Sequence, residues 1–342
     1  MKVFFWESGE GGSVYYRSVL PAMAVRWHGH DVARSADVRA MPWPDGPDVI
    51  VGSRVSNPGP VGLWERIRKD SDATLILDLD DDYLHIDETS NPRANAFWDV
   101  AQQARLLKAV SLAHRVTVAS EGLADVMRRY HDDVVVVPNG LHAAWLSAPR
   151  DYHGDGPVRI GWAGTSSTIH ELPLAAKALN RILDYRDPRG HTPTVTTIGV
   201  PARWVKWAGL DVDRVQILEM IPNSDRYLVA AANHFDIWVA PYRDIPFNNS
   251  KVPTKALEAG FLGIPIVASS IRPYEDAVDH GATGFLVRQS HEWGRWLKRL
   301  VDNPDLRQSM GLAARARASA YIMQGLALDW VDAMTVRGKV PV

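Results

Sequence analysis

Strand-length apolar runs alternate with helical stretches from one end of this sequence to the other, and that alternation restricts it to an α/β fold. KVFFW (2–6) is a short apolar run, DVIVGS (48–53) and ATLILDL (73–79) are β-branched or leucine-rich, and RVTVAS (115–120) and VVVVPNG (134–140) are further strand-length runs. Their near-continuous apolarity is that of strands covered on both faces, as in a parallel sheet. Between them lie helical spacings: VYYRSVLPAMAVRWHG, ending at Gly29, FWDVAQQARLLKAVSLAHR (97–115), and a stretch around Gly122–Tyr130. Strand, helix, strand, helix predicts a doubly wound layer.

SAPRDYHGDGP (147–157) interrupts the alternation, and it is the best linker candidate. The pattern then restarts with VRIGWAG (158–164), a helix over Glu171–Tyr185, and further strands TVTTIG (194–199), RVQILEM (214–220), FDIWVAPY (235–242), GIPIVAS (263–269) and GFLV (284–287). A length of 342 residues suits two domains at roughly 100–200 residues each. The expected division is 1–150 and 151–321, with a last helix over about 322–342 packing back on the first domain. Two such sheets place their carboxyl ends across one cleft, where ligands of α/β sheets bind.

Composition removes whole classes of chemistry. With no cysteine, thiolate nucleophiles, disulfides and Cys-ligated zinc are excluded. The 38 basic and 40 acidic residues give a net charge of −2, without the basic excess of a phosphate-neutralising nucleic-acid binder. No apolar run reaches the ~20 residues of a membrane span, and MKVFFWESGEGG lacks a leader's apolar core. A cytoplasmic protein with no integral membrane segment is expected. Arg295, Lys298, Arg299, Arg315 and Arg317 leave peripheral contact with an anionic membrane open, although a solvated helix face is the commoner origin of such a set.

The most informative segment is PYRDIPFNNSKVPTKALEAGFLGIPIVAS (241–269). A strand ends at Pro241, and a loop carries Asn248, Asn249, Ser250 and Lys251. Pro253 then suits the first turn of a helix that stops at Gly263. The amides of a helix start attract anions, and Lys251 and Lys255 add positive charge there, so a diphosphate is the natural guest. Glu258 shares a face with Lys255 at i+3, and its carboxylate can accept hydrogen bonds from two ribose hydroxyls. The same spacing also describes an ordinary surface ion pair, worth a few tenths of a kcal/mol.

P-T-K-x-x-E-A-x-x-x-G-x-P-I-V-A-S, from Pro253 to Ser269, resembles the donor-site signature of GT-B fold, family-4-type retaining glycosyltransferases. DHGATGFLV (279–287), NPDLRQSMGLAARARASAY (303–321) and VRIGWAGTSSTIHEL (158–172) resemble further segments of that family, as do YYRSVLPAMAV (15–25) and LDLDDDYL (77–84) in the first domain. The resemblance implies two Rossmann-like domains facing across a cleft. It implies transfer of a sugar from a UDP- or GDP-sugar, with retention, to an acceptor that is a protein, a lipid-linked glycan, a small molecule or a modified nucleic acid.

By the same resemblance Glu258 binds the donor ribose and Lys251 and Lys255 the diphosphate, while Asn248, Asn249 and Ser250 face the sugar. Gly11 and Gly12 form the first-domain glycine turn. Met220, Ile221 and Pro222 pack on the base. Ser250 stands where many members have a glutamate. Thr165 and His170 stand where an Arg and a Lys are frequent. The catalytic-cleft candidates are Asp81 and His85.

Asp78, Asp80, Asp81 and Asp82 form two D-x-D triplets that invite a Mg²⁺ or Mn²⁺ reading. A carboxylate directed at substrate hydroxyls is preferred, and no metal or other cofactor is expected besides the donor. GEGGSV (9–14) does not complete a dinucleotide fingerprint. Two other functions stay open on this scaffold: a non-catalytic nucleotide- or sugar-binding module and a nucleotide-sugar epimerase.

Overall fold

The computed structural model describes residues 1–336 except Glu10, Asp87 and Ser90. The tail 337–342 of the expected last helix, Glu10 of the glycine turn and Asp87 of the acidic run therefore lie outside the described residues. Two six-stranded parallel sheets carry the fold. The first is ordered β2-β1-β3-β4-β5-β6, from Lys2–Trp6 (β1), Asp31–Ser35 (β2), Val49–Ser53 (β3), Thr74–Leu79 (β4), Arg115–Val118 (β5) and Val134–Val136 (β6). The second is ordered β12-β11-β10-β7-β8-β9, from Arg159–Ala163 (β7), Thr194–Ile198 (β8), Gln216–Leu218 (β9), Ile237–Ala240 (β10), Ile266–Ser269 (β11) and Gly284–Val287 (β12).

The buried strands are the apolar runs of the sequence: β4, β10, β11 and β12 have no exposed position. Gly161 in β7 shows why a glycine interrupts one of them. A β-carbon there would overlap the ring of Phe235, which is fully buried at the end of the helix Ser224–His234. The missing side chain lets a phenyl group worth roughly 2–3 kcal/mol of burial pack directly on the strand.

The two halves are joined twice. Leu141 pairs with the returning chain, its N–H donating to Tyr321 O and its carbonyl accepting from Met323 N–H. Gly140 makes this approach fit, since a β-carbon there would stand 2.6 Å from Tyr321 O. Beyond the crossing, the helix Met323–Met334 packs on Leu20–Trp27, and Trp330 meets the ring of Phe5 edge-on at 6.1 Å. The Pro/Gly-rich stretch 147–157 is tethered rather than free. Arg150 pairs with Asp236, and the Tyr152 hydroxyl donates to Gly263 O at 2.7 Å.

Among the described residues no helix is long and apolar enough to cross a membrane. The basic residues of the late helices have protein partners. Arg317 pairs with Asp279, Arg315 donates to Ala148 O, and Arg295, Lys298 and Arg299 lie over aromatic rings.

Candidate active site

The carboxyl ends of both sheets open onto one cleft of about 490 Å³. β1 delivers the Gly11–Gly12 turn and β4 delivers Asp80 and Asp81. From the second sheet come Gly164 and Thr165 after β7, Gly199 after β8, and Met220–Pro222 after β9. Lys251, Lys255 and Glu258 complete the wall. Residues called from opposite ends of the sequence thus meet. Gly11, Gly12, Asp81, Thr165, Ile221, Lys251, Lys255 and Glu258 all line this space. Of the tryptophans, none is among the described residues that line it.

Four candidates lie elsewhere. Asn248 is buried and donates to Glu171 Oε1 at 3.0 Å and to Arg243 O at 2.9 Å. Asn249 donates to Asp244 and borders a second cavity of about 300 Å³ behind the site. Ser250 is buried, its hydroxyl donating to Phe247 O at 3.0 Å and its carbonyl accepting from Ser120 Oγ. The physical reason is a short helix, Pro246–Asn249, which winds the loop inward and turns Asn248 and Ser250 into the protein, while Asn249 stays half-buried against Asp244. His85 bonds Asp82 at 2.8 Å and does not line the cleft.

The helix Thr254–Phe261 sorts its residues by face. Pro253 caps it rather than opening its first turn. Ala256, Leu257 and Gly260 face the second cavity, while Thr254, Lys255 and Glu258 face the cleft. Glu258 is 5% exposed, and both its oxygens are engaged. Tyr16 from the first domain donates to Oε1 at 2.8 Å, and Tyr227 from the second donates to Oε2 at 2.9 Å. Burial raises the Glu258 pKa, against the pull of Lys255 and the two phenols. Burial, then the charge of Glu258, pushes both tyrosines well above the ordinary phenol, so they act as donors. Lys255 has no carboxylate within 4.0 Å among the described residues; its ammonium lies 5.9 Å from the ring centre of Tyr242.

The acidic run at the end of β4 is divided among partners. Asp78 is fully buried against Arg17 and accepts from Thr117. Asp80 accepts from Tyr83, with Arg54 at 3.9 Å; burial pushes its pKa up, but Arg54 and its hydrogen bonds outweigh that and hold it low. Asp81 pairs with Lys251, yet burial leaves its carboxyl above the ordinary range. Asp82 holds His85. Among the described residues no group of three or more His, Asp or Glu is placed to hold a metal ion.

Sequence reasoning missed Tyr16, Tyr227 and Gly199. The glycine had a signal, standing at a strand's end where the backbone takes φ +103°. The tyrosines had none, since each reads as an amphipathic helix position.

Residues 157–303 match the family described as Glycosyl transferases group 1. The D-inositol 3-phosphate glycosyltransferase of Streptomyces scabiei (strain 87.22) is 42% identical over 258 residues, covering 69% of this chain and 55% of that protein. The protein of that name from Jonesia denitrificans is 26% identical over 219 residues, covering 58% of this chain and 50% of that one. The chain spans about half the length of the curated relatives it matches. Among solved structures, sucrose-phosphate synthase from Thermosynechococcus elongatus superposes with a TM-score of 0.70 at 15% identity, covering 97% of both chains. Anabaena Alr3699/HepE, crystallised with UDP and glucose, gives a TM-score of 0.67 at 16% identity, covering 97% of this chain and 98% of that one. At such identities the structures speak for the fold alone: the chain has the GT-B fold, and residues 157–303 of its second half match the Glycosyl transferases group 1 family.

Proposed function

We propose that this protein transfers a sugar from a UDP- or GDP-sugar to an acceptor hydroxyl, with retention at the anomeric carbon. The observation that carries the reading is the lysine-and-glutamate face of Thr254–Phe261, which opens into the cleft opposite the Gly11–Gly12 turn. In this reading Glu258 receives the ribose and Met220–Pro222 support the base. Thr165, Gly11 and Gly12 admit the diphosphate, with Lys255 as its principal cation. As the glycosidic bond breaks, negative charge grows on the departing diphosphate, and an ammonium already in place stabilises it without reorganisation. The acceptor hydroxyl passes its proton to that phosphate. Asp81 is the carboxylate we place nearest the acceptor, and His85, held by Asp82 outside the cleft, is given no role in the transfer.

The chemistry is proposed to run without a resident metal, because Asp78, Asp80, Asp81 and Asp82 already serve protein partners. A cysteine-free chain using a nucleotide sugar suits the cytoplasm, where we place it.

The test is a thermal-shift panel of UDP- and GDP-sugars, followed by mass analysis of products from acceptors of the four classes. One nucleotide sugar should raise the melting temperature by mass action and yield a glycosylated product. Stabilisation by none of them would sink the donor-site assignment. Binding without transfer or hydrolysis would favour a non-catalytic module, and conversion of the donor with no acceptor present an epimerase.

A further inference from the structure

Glu258, which the reading above gives to the donor ribose, already has both oxygens taken. One partner, Tyr227, stands on the same domain, in the helix Ser224–His234. The other, Tyr16, crosses the cleft from the first domain, 242 residues away in sequence. Tyr16 belongs to a helix that starts at Gly12–Val14, widens into a π-turn over Tyr15–Val19 and resumes as Leu20–Trp27. Such turns are uncommon, and they concentrate at functional sites. This one sends two neighbouring side chains to the opposite domain: Tyr15 donates to Asp225 Oδ1 at 2.7 Å and Tyr16 to Glu258 Oε1 at 2.8 Å. Its next residue, Arg17, fixes the turn to the first sheet through two hydrogen bonds to Asp78.

We propose that Tyr16 is a positioning residue that stands in for the donor on Glu258: its hydroxyl holds Oε1 where a ribose hydroxyl binds, and donor binding exchanges an interdomain hydrogen bond for a ribose one. The inference rests on the donor-site reading of Glu258. A buried carboxylate left without donors is costly, so the apo protein needs a substitute for the ribose. A phenol of raised pKa keeps its proton and supplies one. Tyr227, on the donor's own domain, needs no such exchange and orients the carboxylate throughout. Because Tyr16 comes from the first domain, the nucleotide alters the tie between the halves before any acceptor arrives.

The experiment is calorimetric titration of wild type, Y16F, Y227F, Y15F and E258Q with UDP, GDP and the 2′,3′-dideoxy form of whichever is bound. Removing a competitor should tighten binding of the ribonucleotide to Y16F by about three- to tenfold. That gain should vanish with the dideoxynucleotide, which has no hydroxyl to take the phenol's place. Y227F should weaken binding, and Y15F, which loses an interdomain bond away from Glu258, should show no ribose-dependent gain. Y16F binding at or below wild-type affinity overturns the proposal, as does an equal gain with the dideoxynucleotide. Should Y16F not fold, wild type supplies the readout. NMR of wild type carrying ring-labelled tyrosine should show the Tyr16 ring signals shift with the ribonucleotide and stay in place with the dideoxynucleotide at saturation, and Tyr16 signals unmoved by both overturn the exchange. If wild type binds neither nucleotide and E258Q behaves as wild type, the donor-site reading itself has failed, an outcome separate from loss of the Tyr16 effect alone.

Discussion

Lys251 Nζ lies 2.9 Å from Asp81 Oδ2 and 3.1 Å from Oδ1, bridging the two domains across 170 residues of sequence. Both side chains are only partly buried, and the ammonium also sits 3.9 Å from the ring centre of Phe247. Lys251 is thus engaged by Asp81, which is why the proposed function gives the diphosphate's charge chiefly to Lys255.

The pair makes a stability prediction. D81N leaves the Lys251 ammonium without its counter-charge and should cost about 1–3 kcal/mol, read as a melting temperature lower by a few degrees. K251M should cost a similar amount. The double variant D81N/K251M should recover part of the loss, with a coupling of about 1–2 kcal/mol. Strict additivity would show that the contact contributes nothing.

Lys255 predicts the opposite separation of stability and binding. With no carboxylate partner among the described residues, its truncation removes no ion pair. K255A should melt within about a degree of wild type, while nucleoside diphosphate affinity falls about tenfold or more, as for a lost hydrogen bond to a charged group. The affinity gap between wild type and K255A should narrow with added salt, because screening weakens the wild-type contact. A K255A protein that binds diphosphate normally would move the phosphate site elsewhere.

How much of this was legible beforehand depended on the range of each contact. Apolar runs set the strands, but Asp31–Ser35 escaped notice: it is a polar edge strand with one buried residue, Val32, so it carries no continuous run. The motif 253–269 announced the helix and its charged face, because those spacings are local. It could not announce that Asn248 and Ser250 turn inward, since Glu171 and Ser120, which hold that loop, lie far away in sequence. The Tyr16–Glu258 and Lys251–Asp81 bonds are of the same kind, set by how the sheets face each other.

Two glycines at the cleft separate strain from clash. Gly11 has φ +101° with open space where a β-carbon would stand, so G11A should cost about 1–2 kcal/mol of backbone strain. Gly199 has φ +103°, and its β-carbon would overlap Gly164 O, the backbone that shapes the opposite lip of the cleft. G199A should therefore destabilise more than G11A and weaken nucleotide binding as well. Equal melting temperatures for the two variants would contradict the packing of β7 against β8 at this end.

The final prediction concerns pH and follows from the raised pKa of Glu258. On the proposed donor site an ionised Glu258 would accept hydrogen bonds from Tyr227 and a ribose at once, whereas the protonated acid has one oxygen committed as a donor. Nucleotide affinity should therefore fall on acidification, with a midpoint above the ordinary glutamate range, and E258Q should flatten the profile. The sign for stability is opposite. A carboxyl whose native pKa lies above its unfolded value takes up its proton in the native state first, so its contribution is present at low pH and is lost as pH rises through the native pKa. Glu258 and Asp81 thus do not drive acid unfolding. That role belongs to carboxyls held low, such as Asp236, whose burial is outweighed by Arg159 and Arg150. D236N should reduce the difference in melting temperature between neutral and acidic buffer, and E258Q should not. If the E258Q affinity profile still falls with acid as the wild type does, Glu258 is not the group that senses pH at the ribose.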